Sequence, residues 1–144
     1  MGTTAVVAVV LNEGVAVLNV GDSRCYQVDD QAIVQVTRDH SLVNDLVLRG
    51  DLTPEEARHH PARNLITRAL GVEETVKPDV YLLQRKEGSY LLLCSDGLSN
   101  TVTDPEIQYE VIHGGEPEDC CQRLLDIALM RGAPDNVTAV LVQL

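Results

Sequence analysis

Residues 90–100 read YLLLCSDGLSN: four residues of apolar strand pattern (Tyr90, Leu91, Leu92, Leu93), two small residues, an Asp-Gly pair and an abrupt polar turn. A carboxylate at the end of a buried strand is fixed by the sheet yet open to solvent at the rim, which suits it to bind a hard metal ion. Asp-Gly is equally an ordinary turn signal, so Asp96 alone decides nothing. Two further stretches set an aspartate where an apolar strand meets a loop, NVGDSR at 19–24 with Asp22 and GAPDN at 132–136 with Asp135. Three such junctions in one short chain shift the reading towards a shared site.

A chain of 144 residues, 44% hydrophobic and 23% charged, is long enough for one domain with a real core and too short for two ordinary ones. Phe and Trp are absent, so Leu, Val, Ile and Ala must fill the interior. The 22 acidic against 11 basic residues give a formal charge of −11, which repels a nucleic-acid backbone and anionic lipid alike. Nucleic acid and membrane are therefore excluded as main partners, and a phosphorylated substrate requires local cations or bound metal. The apolar opening at 5–11 is too short for a bilayer span and lacks the basic lead-in of a signal peptide. Cys25, Cys94, Cys120 and Cys121 have neither metal-ligand nor redox spacing. They read as small core residues in a reducing compartment, the cytoplasm.

Apolar runs of strand length at 4–11 and 15–20 flank the turn Asn12-Glu13-Gly14, and strands at 24–28 and 32–37 follow. This first quarter reads as an antiparallel meander with NVGDSR between its second and third strands. The uninterrupted runs predict cover on both faces. Ser41 caps a helix that stops at Gly50, and Thr53, Pro54 and Glu56 form a capping box opening a short helix through Arg58. A polar, basic loop at 59–63 and a brief helix at 65–70 come next. Strands at 80–84 and 90–94 read as a second hairpin around 86–89. Asp104-Pro105 opens a helix with Ile107, Val111 and Ile112 on one face, and the helix at 117–130 stripes Cys120, Leu124 and Ala128. A strand at 137–144 ends the chain. The prediction is a single α+β domain over 1–144, a layered sandwich of antiparallel sheets flanked by helices.

Three carboxylates without clustered His or Cys favour Mg²⁺ or Mn²⁺ over zinc, because hard oxygen ligands suit hard cations. Two such ions close together polarise a phosphoryl oxygen and activate water for hydrolysis. No Ser-His-Asp arrangement or phosphate-cradling glycine loop competes.

NVGDSR at 19–24, TRDHSLV at 37–43, LCSDGLSN at 93–100 and GAPDNVT at 132–138, in that order, resemble the motifs of the metal-dependent protein phosphatases of type 2C, the bacterial branch especially. MGTT at 1–4 is similar to the family's entry into an internal strand. The resemblance implies an α-β-β-α sandwich and hydrolysis of phosphoserine and phosphothreonine in proteins, with two to three Mn²⁺ or Mg²⁺ ions in intact members. By position it makes Asp96 and Asp135 ligands of the two-metal centre, and pairs Asp22 with Asp96 at an additional third-metal site. It also places a flexible flap at 52–63, whose Arg58, His59, His60 and Arg63 are candidates to meet substrate; a basic solvated loop is the competing reading.

The resemblance has a gap. The family's early phosphate-binding arginine, its glutamate-aspartate pair and the bridging aspartate of its DG-x-GG motif have no counterpart in the sequence. The chain accordingly resembles the C-terminal portion of a catalytic domain, lacking the N-terminal strands and helices, with a weakened metal centre and poor or absent turnover expected. The competing function is a non-catalytic, pseudophosphatase-like module that binds a phosphoprotein, or a homodimer through surface left bare. A third reading is an unrelated binding domain whose aspartates are turn formers. His40 is expected to cap or pack, Arg24 to pair with an acidic neighbour, and Asn136 to buttress Asp135 or the turn. Asp39, Asp45 and Asp51 read as surface charges.

Overall fold

The computed structural model describes residues 1–133 and 135–144; Pro134, in the GAPDN stretch, lies outside the described residues. In chain order the elements are β1 Ala5–Val10, β2 Gly14–Val20, β3 Arg24–Val28, β4 Ile33–Gln35, α1 Leu42–Leu48, α2 Pro54–Arg58, β5 Asp79–Gln84, β6 Tyr90–Cys94, α3 Asp96–Ser99, α4 Asp104–His113, α5 Pro117–Met130 and β7 Ala139–Gln143. They build two antiparallel sheets, one of order β1-β2-β5 and one of order β4-β3-β6-β7.

The expected meander is instead two hairpins in two different sheets. β1 pairs with β2, β3 pairs with β4, and β2 and β3 are not neighbours. Likewise β5 lies along β2 while β6 lies along β3, so the turn at 86–89 crosses between sheets and closes no hairpin. Composition marks a turn but not whether the strands it joins will pair. At the first crossing, Gly21 takes φ +109, and a Cβ there would come within 2.3 Å of the Thr4 side chain. Only glycine lets the chain leave one sheet for the other at that point.

Two apolar layers result. Val15 and Val17 of β2 meet Cys25 of β3 and Leu91 of β6 between the sheets, joined by Val6, Ala8, Tyr81 and Leu83. On the far side of the second sheet, Tyr26, Val28, Leu92 and Cys94 pack against Ile107, Val111, Leu124 and Ala128 of α4 and α5. β3 and β6 are therefore covered on both faces, which accounts for the unbroken Leu91-Leu92-Leu93 run. Each fully buried leucine contributes about 1.5–3 kcal/mol relative to exposure.

The same double cover was expected of β1 and β2, and among the described residues it is absent. Val7, Val9, Val80 and Leu82 on the outer face of the three-stranded sheet are 49, 45, 58 and 81% exposed. The predicted helix at 65–70 is extended backbone: Ile66 bridges to Ser41, Leu70 bridges to Thr3, and Thr67 N–H donates to the His40 carbonyl at 2.9 Å. Those bonds tie the segment to other parts of the chain in place of an i to i+4 ladder. The caps, by contrast, form as their sequences prescribe. Ser41 Oγ accepts from Asn44 N–H, and the Thr53–Glu56 box closes with two bonds of 3.1 Å.

Candidate metal centre

The first crossing, between β2 and β3, lies where β6 ends, since Arg24 pairs with Cys94; the turn at 86–89 lies at the opposite end of the sheets, where Tyr90 pairs with Val28. Asp22 follows Gly21 at the first crossing, and Asp96 opens α3 directly after β6. Both line a cleft of about 210 Å³ with Arg24, Gln35, Asp39, Asn44, Arg58, Arg63 and Asn100. A hollow of about 370 Å³ between residues 66 and 77 contains none of the three aspartates.

Asp22 and Asp96 lie near enough for the charge of Asp96 to act on Asp22. Burial first, then the charges of Asp96 and Asp39, push the Asp22 carboxyl up to about 6. Burial and then the charge of Asp135 raise Asp96, while the backbone N–H groups of Gly97 and of Asp96 itself pull it back. This is the signature of carboxylates confined together.

Asp135 stands beside Asp96 from the exposed loop before β7, its Oδ1 accepting from Asn136 N–H at 2.7 Å. Ser95 fastens that loop: its Oγ donates to the Asn136 carbonyl at 3.3 Å and accepts from Thr138 N–H at 3.0 Å. Asn136 thus supports Asp135 through its backbone N–H, one of the two roles that the sequence suggested. Asp135 does not line the cleft itself. Among the described residues no three His, Cys, Asp or Glu side chains converge closely enough to hold an ion. The arrangement is a carboxyl pair with a third carboxylate on its lip.

Arg24 does not neutralise the pair. Its guanidinium forks onto Asp39, with Nε at 3.0 Å from Oδ1 and Nη2 at 2.7 Å from Oδ2, and its Nη1 donates to the Tyr26 hydroxyl. Asp39 also accepts from Gln35 Nε2 at 3.1 Å, and its side chain is only 14% exposed. Its reading as a surface charge is corrected: in a partly buried cleft the Arg24 cation needs a bidentate partner.

Of the four candidate substrate residues, Arg58 and Arg63 line the cleft and the two histidines do not. His59 pairs with Glu55 in solvent at 3.0 Å, and His60 Nδ1 accepts from Ala62 N–H. Arg63 donates to the His60 carbonyl at 3.3 Å; neither arginine has a carboxylate partner among the described residues.

The residues present fit a hard divalent cation. The donors are oxygens, and neither Asp22 nor Asp96 forms a salt bridge among the described residues, the nearby Arg24 being engaged by Asp39, so a dication would relieve their repulsion.

Sequence reasoning placed these aspartates but missed two supports. Asp39 could have been found as the acid that a partly buried Arg24 requires. His40, five percent exposed, was expected only to cap or pack; it holds the Gly21 peptide on both sides.

The family model for "Protein phosphatase 2C" matches residues 1–125. The chain is 38% identical over 143 residues to the serine/threonine phosphatase stp of Listeria monocytogenes, covering 99% of itself and 57% of that protein. Its fold matches the crystal structure of the serine/threonine phosphatase Stp1 from Staphylococcus aureus with a TM-score of 0.97 at 45% identity, over 100% of this chain and 57% of that one. It also matches the catalytic domain of the phosphatase PstP in complex with 2 manganese ions, with a TM-score of 0.88 at 38% identity, covering 98% of this chain and 58% of the other. The chain thus spans little more than half the length of each of these three relatives. With the family model over its first 125 residues and antiparallel sheets that superpose on solved phosphatase domains, this chain belongs to the protein phosphatase 2C family.

Proposed function

We propose that residues 1–144 form one phosphatase-like domain that takes part in metal-dependent hydrolysis of phosphoserine and phosphothreonine in proteins. The observation that carries this reading is the Asp22–Asp96 carboxyl pair, which forms no salt bridge among the described residues and shares a cleft with Arg58 and Arg63. A bound Mn²⁺ or Mg²⁺ supplies polarisation of the phosphoryl group and activation of water. Asp22, Asp96 and, from the lip, Asp135 furnish the oxygen ligands. Arg58 and Arg63 supply positive charge for the substrate phosphate in a chain of net charge −11. The two manganese ions in complex with the related PstP catalytic domain support a metal-dependent reading.

The test is release of phosphate from a phosphothreonine peptide with added Mn²⁺, in the chain and in Asp96→Asn. Hydrolysis that needs Mn²⁺ and is lost in the variant supports the reading. Equal phosphate release with and without metal would sink it.

A second reading is favoured by the absence, among the described residues, of three convergent ligands. In it the cleft binds a phosphoprotein without turnover. Phosphopeptide binding that depends on Arg58 and Arg63, with no hydrolysis at saturating Mn²⁺, would select it. The bare outer face of the three-stranded sheet is the surface through which a homodimer would form. The four free cysteines favour a reducing compartment such as the cytoplasm, and no helix among the described residues is long and apolar enough to cross a membrane.

A further inference from the structure

The loop that presents Asp22 is clamped from behind by a side chain outside the cleft. His40 grips the Gly21 peptide twice. Gly21 N–H donates to His40 Nδ1 at 2.9 Å, and His40 N–H donates to the Gly21 carbonyl at 3.0 Å. Because Nδ1 accepts, the ring proton sits on Nε2, which donates to Asp79 Oδ2 at 2.8 Å. The other oxygen of Asp79 accepts from Arg68 Nη1 at 3.1 Å, and Arg68 also donates to the Lys77 carbonyl. Asn19 adds a second support, its Nδ2 donating to the carbonyls of Gly21 and Arg38 at 3.2 and 3.1 Å. Neither His40 nor Asp79 lines the cleft.

We propose that His40, oriented by Asp79, is a positioning residue for Asp22: it locks the Gly21 peptide and so keeps the Asp22 carboxylate beside Asp96 for a divalent cation. The proposal rests on the metal-site reading of the two aspartates. Two like charges confined together move apart unless the backbones behind them are fixed, and Gly21, at φ +109, is the residue least able to hold itself. Groups outside the ligand set that orient metal ligands are generally worth about 10–100-fold in metal affinity.

The experiment compares His40→Asn with His40→Gln. The Asn amide oxygen reaches the place of Nδ1 and can accept from Gly21 N–H. The Gln amide reaches the place of Nε2, leaving Gly21 N–H without an acceptor. The first readout needs no metal: hydrogen exchange of the Gly21 amide by NMR. The second is affinity for Mn²⁺ alone, by calorimetry. Val17→Ala, a cavity variant in the layer between the sheets, controls for general loss of stability. The expected result is a protected Gly21 amide and near-native Mn²⁺ affinity in His40→Asn and in the control. In His40→Gln exchange is fast and affinity falls about 10–100-fold.

If Gly21 stays protected in His40→Gln, or loosens while Mn²⁺ affinity holds, the positioning role is overturned and the metal site stands. If the unmutated chain has no Mn²⁺ binding that Asp22→Asn removes, the metal-site reading itself is overturned and the positioning role goes with it. Should His40→Gln not fold, Asp79→Ala at a partly exposed position removes the Nε2–H acceptor. Unchanged Mn²⁺ affinity there overturns the proposal, and a loss of about tenfold supports it.

Discussion

Gly97 lies against the backbone carbonyl of Asn136 so closely that a Cβ on Gly97 would come within 2.3 Å of that oxygen. The contact joins the start of α3, where Asp96 sits, to the loop that carries Asp135. It gives the glycine of the Ser-Asp-Gly stretch a function distinct from turn formation: it leaves room for a second strand of backbone.

Gly97→Ala should therefore act against helix propensity. In an unhindered helix the change would stabilise by up to about 1 kcal/mol. Here the Asn136 carbonyl must retreat, and overpacking of this kind costs about 1–3 kcal/mol. Denaturant unfolding should show a net loss, and a Mn²⁺ titration should show weaker binding as Asp135 moves from Asp96. A net gain in stability with unaltered Mn²⁺ affinity would refute the contact.

Asp22→Asn should stabilise the metal-free chain and abolish its stabilisation by Mn²⁺. The Asp22 carboxyl is raised from 3.8 to about 6 by burial and by Asp96 and Asp39, so the folded state binds the proton more tightly than the unfolded state does. That contribution is fully present below about pH 4 and is lost as pH rises through 6. After allowance for solvent screening, the gain from the variant is about 1 kcal/mol at pH 8 and near zero at pH 4. Thermal melts at the two pH values, with and without Mn²⁺, measure it; an equal effect at both would rule out the carboxyl repulsion.

Arg58→Ala and Arg63→Ala should weaken capture of a phosphothreonine peptide while leaving Mn²⁺ affinity alone. A charge-assisted hydrogen bond is worth about 1.5–3 kcal/mol, which corresponds to a loss of about 10–100-fold for an arginine that touches the phosphate. Peptide titration of each variant reports the loss. His59→Ala, in the same segment but turned to solvent, should bind as the parent does. If His59→Ala proves as harmful as the arginine variants, the cleft assignment of this segment is wrong.

Leu82→Glu tests the bare sheet face. Leu82 is 81% exposed on the outer side of the three-stranded sheet, beside Val80, Val7 and Val9. Self-association through that face would be broken by a buried charge, so sedimentation should move from dimer to monomer with little change in melting temperature. A parent chain that is monomeric at high concentration removes the premise.

The elements were legible where local chemistry governs them. The Thr53-Pro54-Glu56 box, the Ser41 cap and the Cys120-Leu124-Ala128 stripe each need only neighbours within about four residues along one helix. The extended backbone at 65–70 was not legible, because its partners are Ser41, His40 and Thr3, far away in sequence. Asp39 and His40 were undervalued for the same reason. Their importance comes from Arg24, Gly21 and Asp79, none of which is a sequence neighbour.

By itself the sequence determined the strands, the capped helices and three aspartates at strand ends, because apolar periodicity and turn chemistry are short-range properties. Only the tertiary structure decided that the GDSR turn and the turn at 86–89 pass between sheets, which brings Asp22 to Asp96 and leaves Asp135 on the lip. A turn of a given composition can close a hairpin or cross between sheets, and the choice follows from which arrangement buries Val15, Val17, Cys25 and Leu91 against one another.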